Sequence, residues 1–231
     1  MINFVLNKNE IAYIMKKSVL TLFAVAALTL TACNDKKAVD ANDALETNEA
    51  TETAVKYNVD IENSQIDWAG GKVAGGGHTG TIALEQGEVF VEDGKVTMGK
   101  FVIDMKTITV TDLTEDTGKA DLEAHLKGES EDKADHFFNV SKFPTATFEL
   151  VNVKDSTVEG NLTMKGQTSS IEFPATVTVT DNDVTIASDE FEIDRTKWGV
   201  NFNSGSVFQD LAGDKIIKDN IKVKFTVKAT K

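Results

Sequence analysis

Cysteine, proline, arginine and positive charge are all scarce in this 231-residue chain. The single cysteine, Cys33, excludes a disulfide framework within one chain and any zinc or iron–sulfur site built from several thiolates. Two prolines against 16 glycines, with frequent Thr, Val and Phe, suit strands and tight turns better than a helical bundle. Basic residues number 24 and acids 37, for a net charge of −13. Nucleic acid is excluded as a partner, because binding it requires clustered Lys and Arg that release counterions. No Gly-x-Ser-x-Gly elbow and no Cys-His pairing is present, so no catalytic residue and no enzyme is expected. The run Gly75-Gly76-Gly77 lacks the Gly-Lys-Ser/Thr ending of a phosphate loop and the spacing of a dinucleotide fingerprint, and no cofactor is expected.

What is present begins with an address. Met15-Lys16-Lys17 opens a basic segment, residues 19–30 form an apolar run, and Leu30-Thr31-Ala32-Cys33 closes it with small residues. That is the pattern of a secretory signal over residues 15–32, too short for the ~20 apolar residues of a spanning helix. Its end looks like a bacterial lipobox, which implies an acylated Cys33 and a membrane anchor on an exported, envelope-located protein. Residues 1–14 add nothing that Met15 does not supply and are expected to be a non-native extension. Residues 33–56 are acidic and polar, with only Val39, Leu45 and Val55 as larger apolar residues. They are expected to form a flexible, disordered tether.

From residue 57 to 231, short alternating runs recur between Gly and Asp turns, and all-β architecture follows. Ile221, Val223, Phe225 and Val227 alternate with Lys222, Lys224, Thr226 and Lys228. Phe101, Ile103 and Met105 keep the same period, as do Ala146, Phe148 and Leu150, and Val158, Leu162 and Met164 through Gly160. Turns are expected at Glu92-Asp93-Gly94 and Asp181-Asn182-Asp183. About eight strands are too many for one flat sheet in so small a domain and imply an antiparallel barrel. Leu122 and Leu126 stand four apart among Ala, Glu, Lys and His, which predicts a short helical insertion covering one end or face.

Several motifs fall in register over residues 57–231. They are Ser64-Gln65-Ile66-Asp67-Trp68 with Gly70 and Lys72; Gly77-His78-Thr79-Gly80; Leu122 with His125-Leu126; and His136-Phe137-Phe138-Asn139. Lys142-Phe143-Pro144, Gly160-Asn161-Leu162-Thr163 and Phe191-Glu192-Ile193-Asp194-Arg195-Thr196-Lys197-Trp198-Gly199-Val200 continue the series. Together they resemble the YceI-like family of exported bacterial proteins. The resemblance implies a lipocalin-like barrel that binds a polyisoprenoid, an isoprenoid quinone or a fatty amphiphile. Asn139 and Asp194 depart from the Asp and Asn that this family commonly carries at those places.

On that reading, Phe101, Ile103, Met105, Phe148, Leu150, Leu162, Phe191 and Phe225 line a lipid cavity, and Phe137 adds a ring from the insertion. Trp68 and Trp198 line its mouth or pack in the core. The lone arginine, Arg195, grips a phosphate or carboxyl head group, or pairs with Asp194 or another acid. His78 bonds a head group or fixes its glycine-rich loop. His125 and His136 lack the spacing of a zinc helix, and no metal is expected. The alternative is an envelope scaffold with a filled core and no ligand, its acidic surface meeting a basic partner; a homodimer is compatible with either.

Overall fold

The computed structural model describes residues 38–231. The signal segment, the extension before it and Cys33 lie outside the described residues.

Twelve strands run β1 Val55–Val59, β2 Gln65–Gly71, β3 Gly77–Ile82, β4 Leu84–Glu92, β5 Lys95–Asp104 and β6 Thr109–Val110, then β7 Thr145–Lys154, β8 Thr157–Met164, β9 Gln167–Val179, β10 Asp183–Ser188, β11 Phe191–Asp194 and β12 Asn220–Thr230. Every pairing between them is antiparallel. The twelve segments occupy eight positions, because four strands are each broken once: β1 continues as β2, β3 as β4, β5 as β6 and β10 as β11. β12 closes the ring. Its C-terminal end pairs with β1 and β10, and its N-terminal end with β2 and β11. The result is a closed eight-stranded up-and-down barrel, which leaves no long unpaired edge.

The breaks are held by side chains that replace ladder bonds. Between β1 and β2, the Ser64 hydroxyl donates to the Asp60 carbonyl and accepts from the Lys228 N–H. Between β10 and β11, the Ser188 hydroxyl accepts from the Phe225 N–H. Such substitutions let a strand bend without orphaning a backbone group. The tight turns follow their residues: Asp93 and Gly94 take φ of 51° and 73°, and Lys165 and Gly166 take 49° and 74°. Consecutive positive φ values are what a two-residue hairpin with the sheet's own twist requires.

Helix α1 spans Lys119–Lys127 between Gly118 and Gly128, both left-handed, and Gly128 donates its N–H to the Ala124 and His125 carbonyls. Leu122 and Leu126 pack on the core, Asp121 is exposed, and Glu123 ties the helix to β6 by accepting from the Val110 N–H at 2.8 Å.

Residues 38–54, read from the sequence as a tether, have no strand of their own yet are laid against the outer wall. The Val39 N–H donates to the Glu192 carbonyl at 2.7 Å, and Asn42 and Ser170 exchange backbone bonds at 3.0 Å. Asn161 accepts from the Leu45 N–H and donates to the Leu45 carbonyl. Farther on, Asn48 donates to the Val151 carbonyl, and Thr51 and Thr53 both donate to Glu92. The segment is therefore a strap running obliquely from β11 to the β4–β5 turn. Hydrophobic content misses it because most of its attachment is polar, with Val39 and Ala41 as the apolar contacts.

Candidate functional site

The barrel is hollow. Its interior holds a cavity of about 730 Å³ whose walls are overwhelmingly apolar. The inward alternation of the strands builds it. Ile66 and Trp68 come from β2, Phe101 and Ile103 from β5, Phe148 and Leu150 from β7, Leu162 from β8, Ile171 and Phe173 from β9, Phe191 from β11 and Phe225 from β12. Met105, in the short turn after β5, completes the wall.

Glycines keep the centre open. A Cβ on Gly160 would come within 2.3 Å of the Glu149 carbonyl and 2.6 Å of the Phe148 ring, and one on Gly80 within 2.5 Å of the Trp68 ring. Phe101 lies in the same way against Gly99 and Gly87. Each large ring thus lies along the sheet on a residue with no side chain, so that barrel volume remains unfilled. Phe148, Phe173, Phe191 and Phe225 form a continuous aromatic wall. Phe173 stands 5.5 Å from Phe148, 4.6 Å from Phe191 in a stack, and 5.4 Å from Phe225 edge-on.

The two ends differ. At the base, the Tyr57 hydroxyl reaches the Thr180 and Asp181 carbonyls of the β9–β10 turn at 3.1 and 3.3 Å. At the other end, the rim, the cavity is roofed by Leu122, His125 and Leu126 of α1, by Phe137 and Phe138, and by Phe202, and bounded by the glycine-rich hairpin between β2 and β3.

The polar groups gather at the rim. Lys72, His78, His125, Arg195 and Asn203 line the cavity, and among the described residues no Asp or Glu does. In a chain with 37 acids, that distribution makes the cavity hospitable to neutral or anionic groups. His78 is half-exposed, its Nδ1 lying 3.0 Å from Asp112, whose other oxygen accepts from the Thr79 N–H. Desolvation works against ionisation of Asp112, but the bonds from Thr79 and His78 outweigh it and hold the carboxyl below its ordinary value. The pair fixes both the hairpin and the imidazole.

Arg195 touches the cavity, but its donors are engaged elsewhere. The side chain is 2% exposed. Nε donates to the Lys218 carbonyl at 3.1 Å, one terminal nitrogen to Val200 and the other to Ile217 at 3.2 Å, with Asp219 at 3.6 Å. The guanidinium holds loop 199–219 to the barrel end, and its acid neighbour at ion-pair distance is Asp219 rather than Asp194. Asp194 instead caps the turn Arg195–Trp198 by accepting from Thr196.

Trp198 is fully buried, donates its Nε1–H to the Leu162 carbonyl at 2.9 Å, and is not among the cavity-lining residues. It packs in the core, anchored to the β8 backbone by that bond. Trp68 does line the cavity, and its buried Nε1–H has no partner among the described residues.

His125 and His136 meet ring to ring. Nε2 of His125 lies 2.9 Å from Nδ1 of His136, and Phe202 stacks on His136 at 4.0 Å. Burial first, then the neighbouring charge of His136, holds His125 below the ordinary histidine range. Their separation of 11 positions matches no metal motif, and sequence gives no sign that they touch.

Of the other expected residues, Trp68, His78, Phe101, Ile103, Met105, Phe137, Phe148, Leu150, Leu162, Phe191, Arg195 and Phe225 all border the cavity. Phe173 and Ile171 were not among them, although their period-two run with Ala175, Val177 and Val179 is visible in β9. Phe202 carries no such signal, because it sits in a loop.

The profile of the YceI-like domain matches residues 57–229. A UPF0312 protein of Yersinia pestis (strain Pestoides F) is 36% identical over 84 residues, a stretch covering 35% of this chain and 41% of that protein. The match thus spans well under half of that relative. A polyisoprenoid binding domain from Saccharophagus degradans, implicated in plant cell wall breakdown, has the same fold with a TM-score of 0.53 at 14% identity, over 75% of this chain and 97% of that one. BcnA from Burkholderia cenocepacia gives a TM-score of 0.53 at 20% identity, over 74% of this chain and 99% of its own. These two likenesses speak for the fold, and the domain match, which extends over most of the sequence, speaks for descent. The chain belongs to the YceI-like family.

Proposed function

We propose that the protein binds one long-chain amphiphile, a polyisoprenoid or similar lipid, with its chain in the barrel and its polar end at the rim. The observation that carries this reading is the apolar cavity of about 730 Å³ with all its polar lining at one end. A volume of that size falls within the ordinary range for small-molecule sites. At roughly 30 Å³ per methylene-sized group, about twenty such groups fit. Ten buried methylenes at ~0.8 kcal/mol each contribute about 8 kcal/mol, comparable with the cost of association. The polyisoprenoid-binding neighbour of the same fold points to the same ligand class. A filled scaffold core is disfavoured by the hollow itself.

The site offers binding groups and no reacting pair: His78 is held by Asp112 without a nucleophile bonded to it, and Arg195 is engaged by carbonyls. We take the protein to be a carrier rather than an enzyme. The lipobox-like end at Cys33 supports an exported protein anchored by acyl chains in a bacterial envelope.

Solvent extraction of protein purified without detergent from a bacterial envelope, followed by mass spectrometry of the extract, tests this reading. One equivalent of a long-chain lipid is expected. Protein free of lipid that also takes up no polyprenyl lipid, isoprenoid quinone or fatty amphiphile on incubation contradicts it.

A further inference from the structure

Five large apolar side chains are exposed among the described residues, and three of them, including the two most open, lie at the rim. Val73, Val207 and Phe208 are 58, 44 and 49% exposed, whereas Val55 and Ile61, at 43 and 40%, lie at the start of β1 by the base and just after β1. The Val73 N–H donates to the Ile216 carbonyl, Ile217 bridges to both Lys72 and Ser204, and the Phe208 N–H donates to the Ser204 carbonyl. The hairpin tip and the loop carrying these residues are thereby stitched together around Lys72, Asn203 and Ile217, which line the cavity.

We propose that this rim is a docking surface for a lipid bilayer, across which the barrel exchanges its ligand. The proposal rests on the lipid-binding reading above. Two features choose a bilayer over a protein partner. Val73, Val207 and Phe208 border the end of the cavity where its polar groups lie, so a chain passing from bilayer to barrel there stays out of water. The strap has a polarity as well: it meets the barrel at Glu192, one strand end from Arg195, and leaves toward Glu92 at the base. Cys33 lies six residues before Val39, a reach of roughly 20 Å for an extended chain. An acyl anchor on Cys33 therefore keeps the rim, and not the base, near the membrane. The contact is made by apolar side chains and is expected to persist at high salt.

The test uses protein made from its own leader in a bacterial envelope and reconstituted into phosphatidylcholine vesicles. Phe208→Trp at the rim is compared with Val55→Trp at the base, with brominated phosphatidylcholine as the quencher. Rim fluorescence is expected to be quenched at least about twofold more than base fluorescence, equally in low and high salt. Equal quenching, no vesicle association, or loss of the difference in salt overturns the proposal. A Val73→Asp/Phe208→Asp variant is expected to keep its copurified lipid and release it to acceptor vesicles about tenfold more slowly. An unchanged release rate also overturns it. If neither protein contains lipid, the binding reading fails, while the quenching comparison still decides the docking.

Discussion

At its base the barrel is finished by hairpins and a tyrosine; at its rim it is finished by a helix, a histidine pair and a loop hung on one arginine. The base encloses apolar side chains behind turns such as Asp93-Gly94, with Tyr57 bonded to the carbonyls beyond it. The rim places Lys72, His78, His125 and Asn203 beside exposed Val73 and Phe208. The same barrel thus has an end built for local stability and an end built for traffic. The rim carries the long loop 199–219, fixed to the barrel end largely through Arg195 and its bond to the Lys218 carbonyl, whereas the base is closed by short hairpin turns. A long loop held at a few points opens before a short hairpin turn does.

The largest way to break the contrast is Arg195→Ala. It removes a buried charge and leaves the Val200, Ile217 and Lys218 carbonyls without their donor. A loss of about 3–5 kcal/mol is expected. Thermal unfolding should fall on the order of 10 °C. Hydrogen exchange should accelerate in residues 199–219 before it does at the base. Arg195→Lys should not restore stability, because an ammonium lacks the planar fork. A variant as stable as the parent that has merely lost ligand would instead make Arg195 a head-group residue.

Gly160→Ala comes next. Its new Cβ would meet the Glu149 carbonyl and the Phe148 ring. We expect destabilisation of about 1–3 kcal/mol and a smaller cavity, read by denaturant unfolding and by weaker lipid uptake.

These two positions also show what could be read from sequence. The inward set of β12, Ile221, Val223, Phe225 and Val227, follows from alternation alone, and all four line the cavity. The helix follows from Leu122 and Leu126. That the barrel is hollow does not follow, because it depends on Phe148 lying over Gly160 across two strands, a pairing invisible to periodicity. Whether Arg195 meets ligand or protein was open for the same reason: its partners stand more than twenty positions away in Ile217 and Lys218. The strap stayed hidden because Asn161 and Ser170 hold it with amide and hydroxyl groups on the outer wall.

A gentler perturbation is pH. His125 is held below its ordinary value by burial and by His136, with Lys133 adding to the shift and Asp132 opposing it. The unfolded chain therefore takes the proton first, and this contribution to stability is complete above about pH 6.5 and declines as pH falls through that value. Hydrogen exchange at pH 7.5 and 5.5 should show the rim around α1 and Phe202 loosening at the lower pH while the base amides change little. His125→Phe should flatten the difference. Uniform change at both ends would remove the distinction between them.

The smallest effect is expected at the base. Tyr57→Phe loses one hydroxyl shared by two carbonyls and should cost about 1 kcal/mol in denaturant unfolding. Lipid uptake should be unaffected.

The most direct test of the hollow barrel as a lipid site is native mass spectrometry of the delipidated protein titrated with a polyprenyl lipid. A single adduct saturating at one lipid per protein, with weaker saturation in Gly160→Ala, is the predicted result. A protein that remains bare at lipid excess, or that gathers lipids without a limit of one, would contradict the account.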